Sequence, residues 1–163
     1  MLRIGIAGRG GQGIVFIGRI IGKTALKTGL YSAVTSSYGS EVRGGSVLSC
    51  IVIDKNEIIN PYIDSFNYIF ILDSIGWSKV NISGSEYIVA DKTLAWRGDL
   101  KRIDWREFDK YSHMHNLPLN MIVAGYMARM KIIDYNALVE VVRESGRSAE
   151  KNLKAIELGY REV

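Results

Sequence analysis

The chain has 163 residues, 47% hydrophobic and 23% charged, with a net charge of +4; these values fit one globular domain and exclude disordered, collagen-like and coiled-coil chains. The single cysteine, Cys50, excludes an internal disulfide framework, and with it any iron–sulfur cluster or structural zinc held by several thiolates of this chain. A reducing, cytoplasmic setting is the expectation, since no apolar run approaches the roughly 20 residues that span a bilayer and Met1-Leu2-Arg3 does not open a signal peptide.

In chain order, residues 2–7 read as a short strand and 8–13 as a glycine-rich turn. Residues 14–28 read as a helix closed by Gly29. Gly18, Gly22 and Ala25 lie inside that helix, so it is expected to pack very close to a sheet or a partner. A second strand is predicted over 31–35, a second glycine-bearing loop over 36–45, and a strand over 46–53. Asn60 and Pro61 suit the start of a short helix over 61–66. The apolar run 68–72 suits a central strand covered on both faces, and 86–90 reads as a further strand. Residues 96–106 carry no clear pattern. Helices are predicted over 118–130, 135–144 and 148–158, the last capped by Ser148 and stopped by Gly159. Alternating strands and helices imply an α/β fold: one Rossmann-like three-layer domain spanning 1–163, with a mainly parallel sheet.

Charge and glycine are unevenly placed. Residues 1–50 hold six basic residues (Arg3, Arg9, Arg19, Lys23, Lys27, Arg43), one acid (Glu41) and 11 of the 17 glycines. The rest of the chain is close to neutral. Positive charge beside exposed backbone N–H groups favours an anion. Arg19, Lys23 and Lys27, at i, i+4 and i+8, also read as one solvated helix stripe, but Arg9 and Arg43 sit within glycine loops.

Gly8-Arg9-Gly10-Gly11-Gln12-Gly13 matches G-x-G-x-x-G in a strand–turn–helix context. A nicotinamide dinucleotide site would also need an acid near the end of the second strand. Val34-Thr35-Ser36-Ser37 supplies none, and no Lys-Ser or Lys-Thr makes the first loop a Walker A sequence. The turn is either a phosphate cradle or a tight turn without a ligand. The second loop, Ser37-Tyr38-Gly39-Ser40-Glu41-Val42-Arg43-Gly44-Gly45, is expected beside the first at the carboxyl edge of the sheet, where ligands bind. Arg43 there is either a clamp for phosphate or carboxylate or a surface partner of Glu41.

This pair of loops resembles the gamma subunit of the 2-oxoacid:ferredoxin oxidoreductases, which act on pyruvate, 2-oxoglutarate, ketoisovalerate or indolepyruvate. Residues 120–125 and 152–159 are similar to two further family helices, while 74–116 match loosely. The resemblance implies an assembly that oxidises a 2-oxoacid to acyl-CoA and carbon dioxide and reduces ferredoxin. Thiamine diphosphate, magnesium and iron–sulfur clusters are then expected in partner alpha, beta and ferredoxin-type delta subunits. This chain would hold no catalytic residue, no metal and no cofactor of its own. It would help form a shared coenzyme A site from Gly8, Arg9, Gly10, Gly11, Gln12, Gly13, Ser37, Tyr38, Arg43, Gly44 and Gly45. The alternative is a free-standing nucleotide- or coenzyme A-binding regulatory module without redox chemistry.

The remaining candidates have plainer readings. Cys50 lies in an apolar strand and reads as core. Asp73 reads as a helix cap or turn residue, and His113 and His115 as a polar turn rather than metal ligands. Trp77, Trp96 and Trp105 read as core or as anchors for a partner. The basic third lacks the interleaved aromatics and reading helix of a nucleic-acid binder. Residues 117–128 have Asn120 as the one clearly polar residue after the proline. A helix apolar on all sides must be buried on all sides, so either the later helices or another subunit covers it.

Overall fold

Alternation of small and branched apolar residues in Leu2–Arg9 makes a strand buried on both faces, and this strand (β1) stands inside the sheet. The computed structural model describes residues 1–39, 44–63, 65–78, 80–97, 102–146 and 148–163. The other strands are β2 (Tyr31–Tyr38), β3 (Ser46–Asp54), β4 (Tyr68–Ile71), β5 (Tyr87–Asp91) and β6 (Ile103–Arg106). Their order across the sheet is β2-β3-β1-β4-β5-β6. β1, β4, β5 and β6 pair in parallel. β3 is antiparallel to both neighbours, β1 and β2. Five strands therefore share one direction, and the mainly parallel α/β sheet expected from the sequence is present.

The helices are α1 (Ile14–Lys27), α2 (Ser74–Trp77), α3 (Phe108–His115), α4 (Leu119–Arg129), α5 (Tyr135–Glu144) and α6 (Ala149–Arg161). Helices α1, α4, α5 and α6 bury one face of the sheet, where Ile4, Ile6, Val47, Ile51, Phe70 and Val89 meet Ile17, Ile21, Met121, Ile122 and Ile156. The other face is covered more thinly. Ile69, Ile71, Ile88 and Ala90 pack there with Phe66, Leu94, Trp77 and Trp105, and the two indoles stack at 6.3 Å. Trp77 and Trp105 thus serve the second core; the side chain of Trp96 lies outside the described residues.

Most predicted elements are found, and each departure has a local cause. α1 ends as expected: Leu30 N–H reaches back to Ala25 O and Gly29 adopts φ 79°, a Schellman closure. Its inner glycines lie against the sheet, Gly18 on Ser49 and Gly22 on Val34 and Ser32. β2 runs three residues past the predicted end, because β3 returns beside it as a hairpin partner up to Tyr38↔Val47. The helix expected over 61–66 is absent from its described residues. Asn60 Oδ1 instead accepts from Tyr62 N–H at 3.0 Å. Further on, Phe66 O accepts from Glu86 N–H, and Asn67 N–H donates to Arg3 O, which holds that backbone against the sheet. His113 and His115 stand on a helix, α3, not in a turn; it buries Phe108 and leaves both histidines exposed.

Gly159 does not stop the last helix, which continues to Arg161. Its role is contact: a Cβ on Gly159 would strike Ile122 O, and one on Gly125 would strike Ile156 O. The two glycines let the backbones of α4 and α6 touch. Ser148 occupies the cap position of α6 without a side-chain cap bond. The close contact also decides what covers α4. Every residue from Asn120 to Ala128 is buried by this chain itself, so the idea that α4 is an interface for another subunit is corrected.

Tyr126 of α4 donates to Asp104 Oδ2 at 2.7 Å, and the Arg106 guanidinium lies 4.9 Å from its ring centre. Burial, and then the Asp104 carboxylate, push the phenol up to about 12. The folded chain thus favours the protonated phenol. The associated stability is fully present below the unfolded value near 10 and is lost as pH rises from about 10 to 12. In Tyr126→Phe, the dependence of urea stability on pH over that range is expected to flatten, with a loss of about 1–3 kcal/mol at neutral pH from the abandoned carboxylate bond. Gly159→Ala is expected to cost about 2–3 kcal/mol in the same assay, because the obstructing atom is backbone and cannot rotate away.

Candidate functional site

The carboxyl edge of the sheet gathers the turn after β1, the end of β2, the start of β3 and the end of β4. The first turn is braced internally. Gln12 Oε1 accepts from Arg9 N–H at 2.7 Å, and Gln12 N–H donates to Arg9 O at 3.1 Å. Gly10 N–H then donates to Gly45 O at 2.8 Å. This bond brings the described end of the second loop, Gly44 and Gly45, directly against the first. Ser37 and Tyr38 close β2 beside them, both exposed, and Gly39 N–H donates to Ser46 O across the hairpin. Arg43 lies outside the described residues.

The start of α1 is open. Gly13 is its cap residue at φ 73° and supplies no side chain, and the first turn contains no acid. The N–H groups of Ile14, Val15 and Phe16 therefore face the edge with the positive end of the helix dipole, the general arrangement for binding an anion. Arg9 adds a half-exposed cation whose Nε lies 3.6 Å from Asp73 Oδ2. Asp73 has its own structural duty at the end of β4. It caps α2 by accepting from Ile75 N–H at 2.9 Å, as the cap reading of this residue expected. α2 packs so tightly on the turn that a Cβ on Gly76 would strike the backbone of Gly8.

One positioning residue was visible in sequence only as an oddity. Asn120, the polar residue of the apolar helix α4, donates from Nδ2 to Gly13 O at 3.2 Å. That carbonyl also accepts the first helical bond of α1, from Ile17 N–H. A Cβ on Gly13 would collide with the Asn120 amide, so the left-handed backbone and the close side chain both require glycine. A polar residue in an otherwise apolar stretch was the available signal, and the structure buries it to 8% exposure.

The other candidates stand apart from this edge or have structural roles. Cys50 is half-buried in β3; burial pushes its thiol up, partly offset by a bond with Thr35, which suits a packed residue rather than a nucleophile. His113 lies 3.5 Å from Asp109, and His115 stacks on Tyr111. Among the described residues no three His, Cys, Asp or Glu groups converge as for a metal, and no helix is long and apolar enough to cross a membrane.

Residues 3–162 match the family model for pyruvate ferredoxin/flavodoxin oxidoreductase. The chain belongs to that family. It is 29% identical to the 2-oxoglutarate synthase subunit KorC of Archaeoglobus fulgidus, over 98% of this chain and 86% of that one. Its fold is that of the gamma subunit of a keto/oxoacid ferredoxin oxidoreductase from Geobacter sulfurreducens, with a TM-score of 0.77, 20% identity and coverage of 98% and 96%. It also matches part of the 2-oxoglutarate:ferredoxin oxidoreductase of Magnetococcus marinus, solved with 2-oxoglutarate, coenzyme A and succinyl-CoA bound. There the TM-score is 0.78 at 19% identity, over 97% of this chain but 30% of the other. The gamma-subunit resemblance drawn from the two glycine loops therefore holds.

The Gly13–Asn120 contact makes a thermodynamic prediction. Gly13→Ala is expected to destabilise the chain by about 2 kcal/mol or more, from left-handed strain plus collision. Adding Asn120→Ala removes the collision and leaves the strain. A double-mutant cycle by urea unfolding should then show the pair less destabilised than the sum of the singles.

Proposed function

We propose that this chain, as a single domain over 1–163, is the gamma subunit of a cytoplasmic 2-oxoacid:ferredoxin oxidoreductase and contributes the phosphate-binding part of its coenzyme A site. The assembly would convert a 2-oxoacid and coenzyme A to acyl-CoA and carbon dioxide, passing two electrons to ferredoxin. Alpha, beta and ferredoxin-type delta subunits would carry thiamine diphosphate, magnesium and the iron–sulfur clusters. The observation that carries the reading is the Gly10–Gly45 bond, which closes both glycine loops on one edge beside the open start of α1. Family membership favours this reading over the free-standing regulatory module. The coenzyme A bound in the Magnetococcus marinus enzyme is further support.

In this reading the chain's own groups bind and orient. The N–H groups at the start of α1 donate to the diphosphate, and Arg9 leaves the 3.6 Å contact with Asp73 to pair with it. Gln12 holds the turn in shape through its two bonds to Arg9. Arg43, in the second loop, would add a guanidinium for the phosphates. The reactive thiol is thereby presented to chemistry housed in the partner subunits.

The test is steady-state kinetics on the purified complex carrying Arg9→Ala or Arg43→Ala. Each lost charge-assisted bond should raise the KM for coenzyme A by about tenfold or more, with the KM for the 2-oxoacid little changed. An unchanged KM for coenzyme A in both variants would remove these loops from the site. A chain that migrates alone when purified from its native source would overturn the subunit reading itself.

A further inference from the structure

A cleft of about 850 Å³ opens at the end of the sheet away from the glycine turns. Small-molecule sites commonly measure about 300–1,000 Å³. Leu2 begins β1, and Ile53 stands opposite it near the end of β3. β1, eight residues long, therefore separates this cleft from the first turn by roughly 25 Å. Leu2, Ala25, Leu30, Ile53, Ala128 and Ile133 line it with apolar surface. Tyr135 and Tyr160 line it too, their ring centres 4.4 Å apart.

The end of α1 and the junction of α4 with α5 wall this cleft. Both helix ends are closed from within the chain. Leu30 N–H donates to Ala25 O and Gly29 N–H to Leu26 O, while Ile132 N–H donates to Met127 O and Lys131 N–H to Ala128 O. These exit carbonyls, which would otherwise draw a cation, are thus engaged. In α1 the left-handed residue of the closure is Gly29, at φ 79°; in α4 it is Lys131, at φ 59°. A lysine in that conformation costs roughly 1 kcal/mol, which glycine would avoid. Among the described residues Lys131 is the one residue other than glycine or asparagine with a positive φ. Strain kept at the wall of a cleft points to a use for the side chain.

The charges of the cleft indicate that use. Four charged side chains line it: Asp54, Lys55, Lys131 and Asp134. Both acids are taken. Asp54 lies 2.9 Å from the Met1 amino group and accepts from Asn56 N–H. These two bonds hold its carboxyl below the usual carboxylate range. Asp134 caps α5, accepting from Ala137 N–H at 2.8 Å. Lys55 and Lys131 are exposed, and among the described residues neither has an ion-pair partner. The unmet charge of the cleft is therefore positive, and it stands beside an apolar lining.

We propose that this cleft binds a small molecule with an apolar body and one acidic group. The body lies against Leu2, Ala25, Ile53 and Ile133. The acid pairs with Lys131, and Lys55 adds to the positive field. The site needs nothing from the glycine turns and stands whether or not they hold coenzyme A.

The test is titration of the full chain with decanoate, decylamine and decanol, read from the methyl resonances of Ile53 and Ile133. Decanoate should shift both methyls saturably and bind at least about fivefold more tightly than the amine or the alcohol. Lys131→Gln should weaken decanoate by about fivefold or more and leave decanol unchanged. Lys131→Gly should weaken decanoate as much while raising the urea midpoint, since glycine suits the left-handed turn. A merely structural lysine would change stability alone. Equal binding of amine and acid, no shift of either methyl, or an unchanged decanoate affinity in either variant would overturn the proposal. The assembled complex should bind decanoate as the full chain does. Loss of binding there would make a partner chain the occupant and overturn the small-molecule site. An unchanged KM for coenzyme A in the Arg9 and Arg43 variants is a separate result, which removes the glycine loops from their site and leaves these outcomes intact.

Discussion

The candidate site depends on one carbonyl. Gly13 O receives the first helical bond of α1 from Ile17 and a second bond from the Asn120 amide of α4. The first bond starts the helix whose N-terminus faces the edge of the sheet. The second ties that start to a helix buried along its length. Without the second, the glycine turn would rest on weaker braces alone. With it, the turn has the rigidity of the core, and its N–H groups are aimed before any ligand arrives. Preorganisation of this kind reduces the ordering cost of binding.

The turn is held from three other directions by weaker means: Gln12 from within, Gly45 from the hairpin, and α2 from the end of β4. The Arg9–Asp73 contact is of another kind. At 3.6 Å and half exposed, it contributes little to stability. It parks a cation beside the open helix end, and an arriving anion of higher charge can draw it away. Tight backbone support and a loosely held charge together suit reversible binding of a polyanion.

Much of this was legible in the residues, because the signals were local. The G-x-G-x-x-G turn, the closing Gly29 and the apolar run at 68–72 each state a backbone preference that the fold keeps. Sequence misled where a residue's meaning came from a distant partner. Gly159 reads as a stop, since glycine commonly ends helices, yet here it faces a carbonyl of α4 more than thirty residues earlier. Pro61 reads as a helix start, but bonds from β1 and β5 hold the backbone just after it. β2 ran longer than predicted because β3 returns beside it and pairs with Ser36, Ser37 and Tyr38. Asn120 could be noticed as polar in an apolar helix, but its partner, Gly13, was hidden 107 residues away. Arg43 was the most pointed candidate in the second loop, and it lies outside the described residues.

The contact between α4 and α6 has a consequence for biosynthesis. α6 follows α4 in the sequence, and it closes over that helix through Gly125 and Gly159. α4 in turn steadies Gly13 near the start of the chain. During translation, the glycine turn leaves the ribosome early but gains its final shape only when α6 has emerged to seal α4. Until then an apolar helix stands open, and a nascent chain that stalls before residue 149 exposes it to chaperones and to other unfinished chains. With α6 in place α4 has no such surface, so the opportunity for misassembly there ends once α6 has been made.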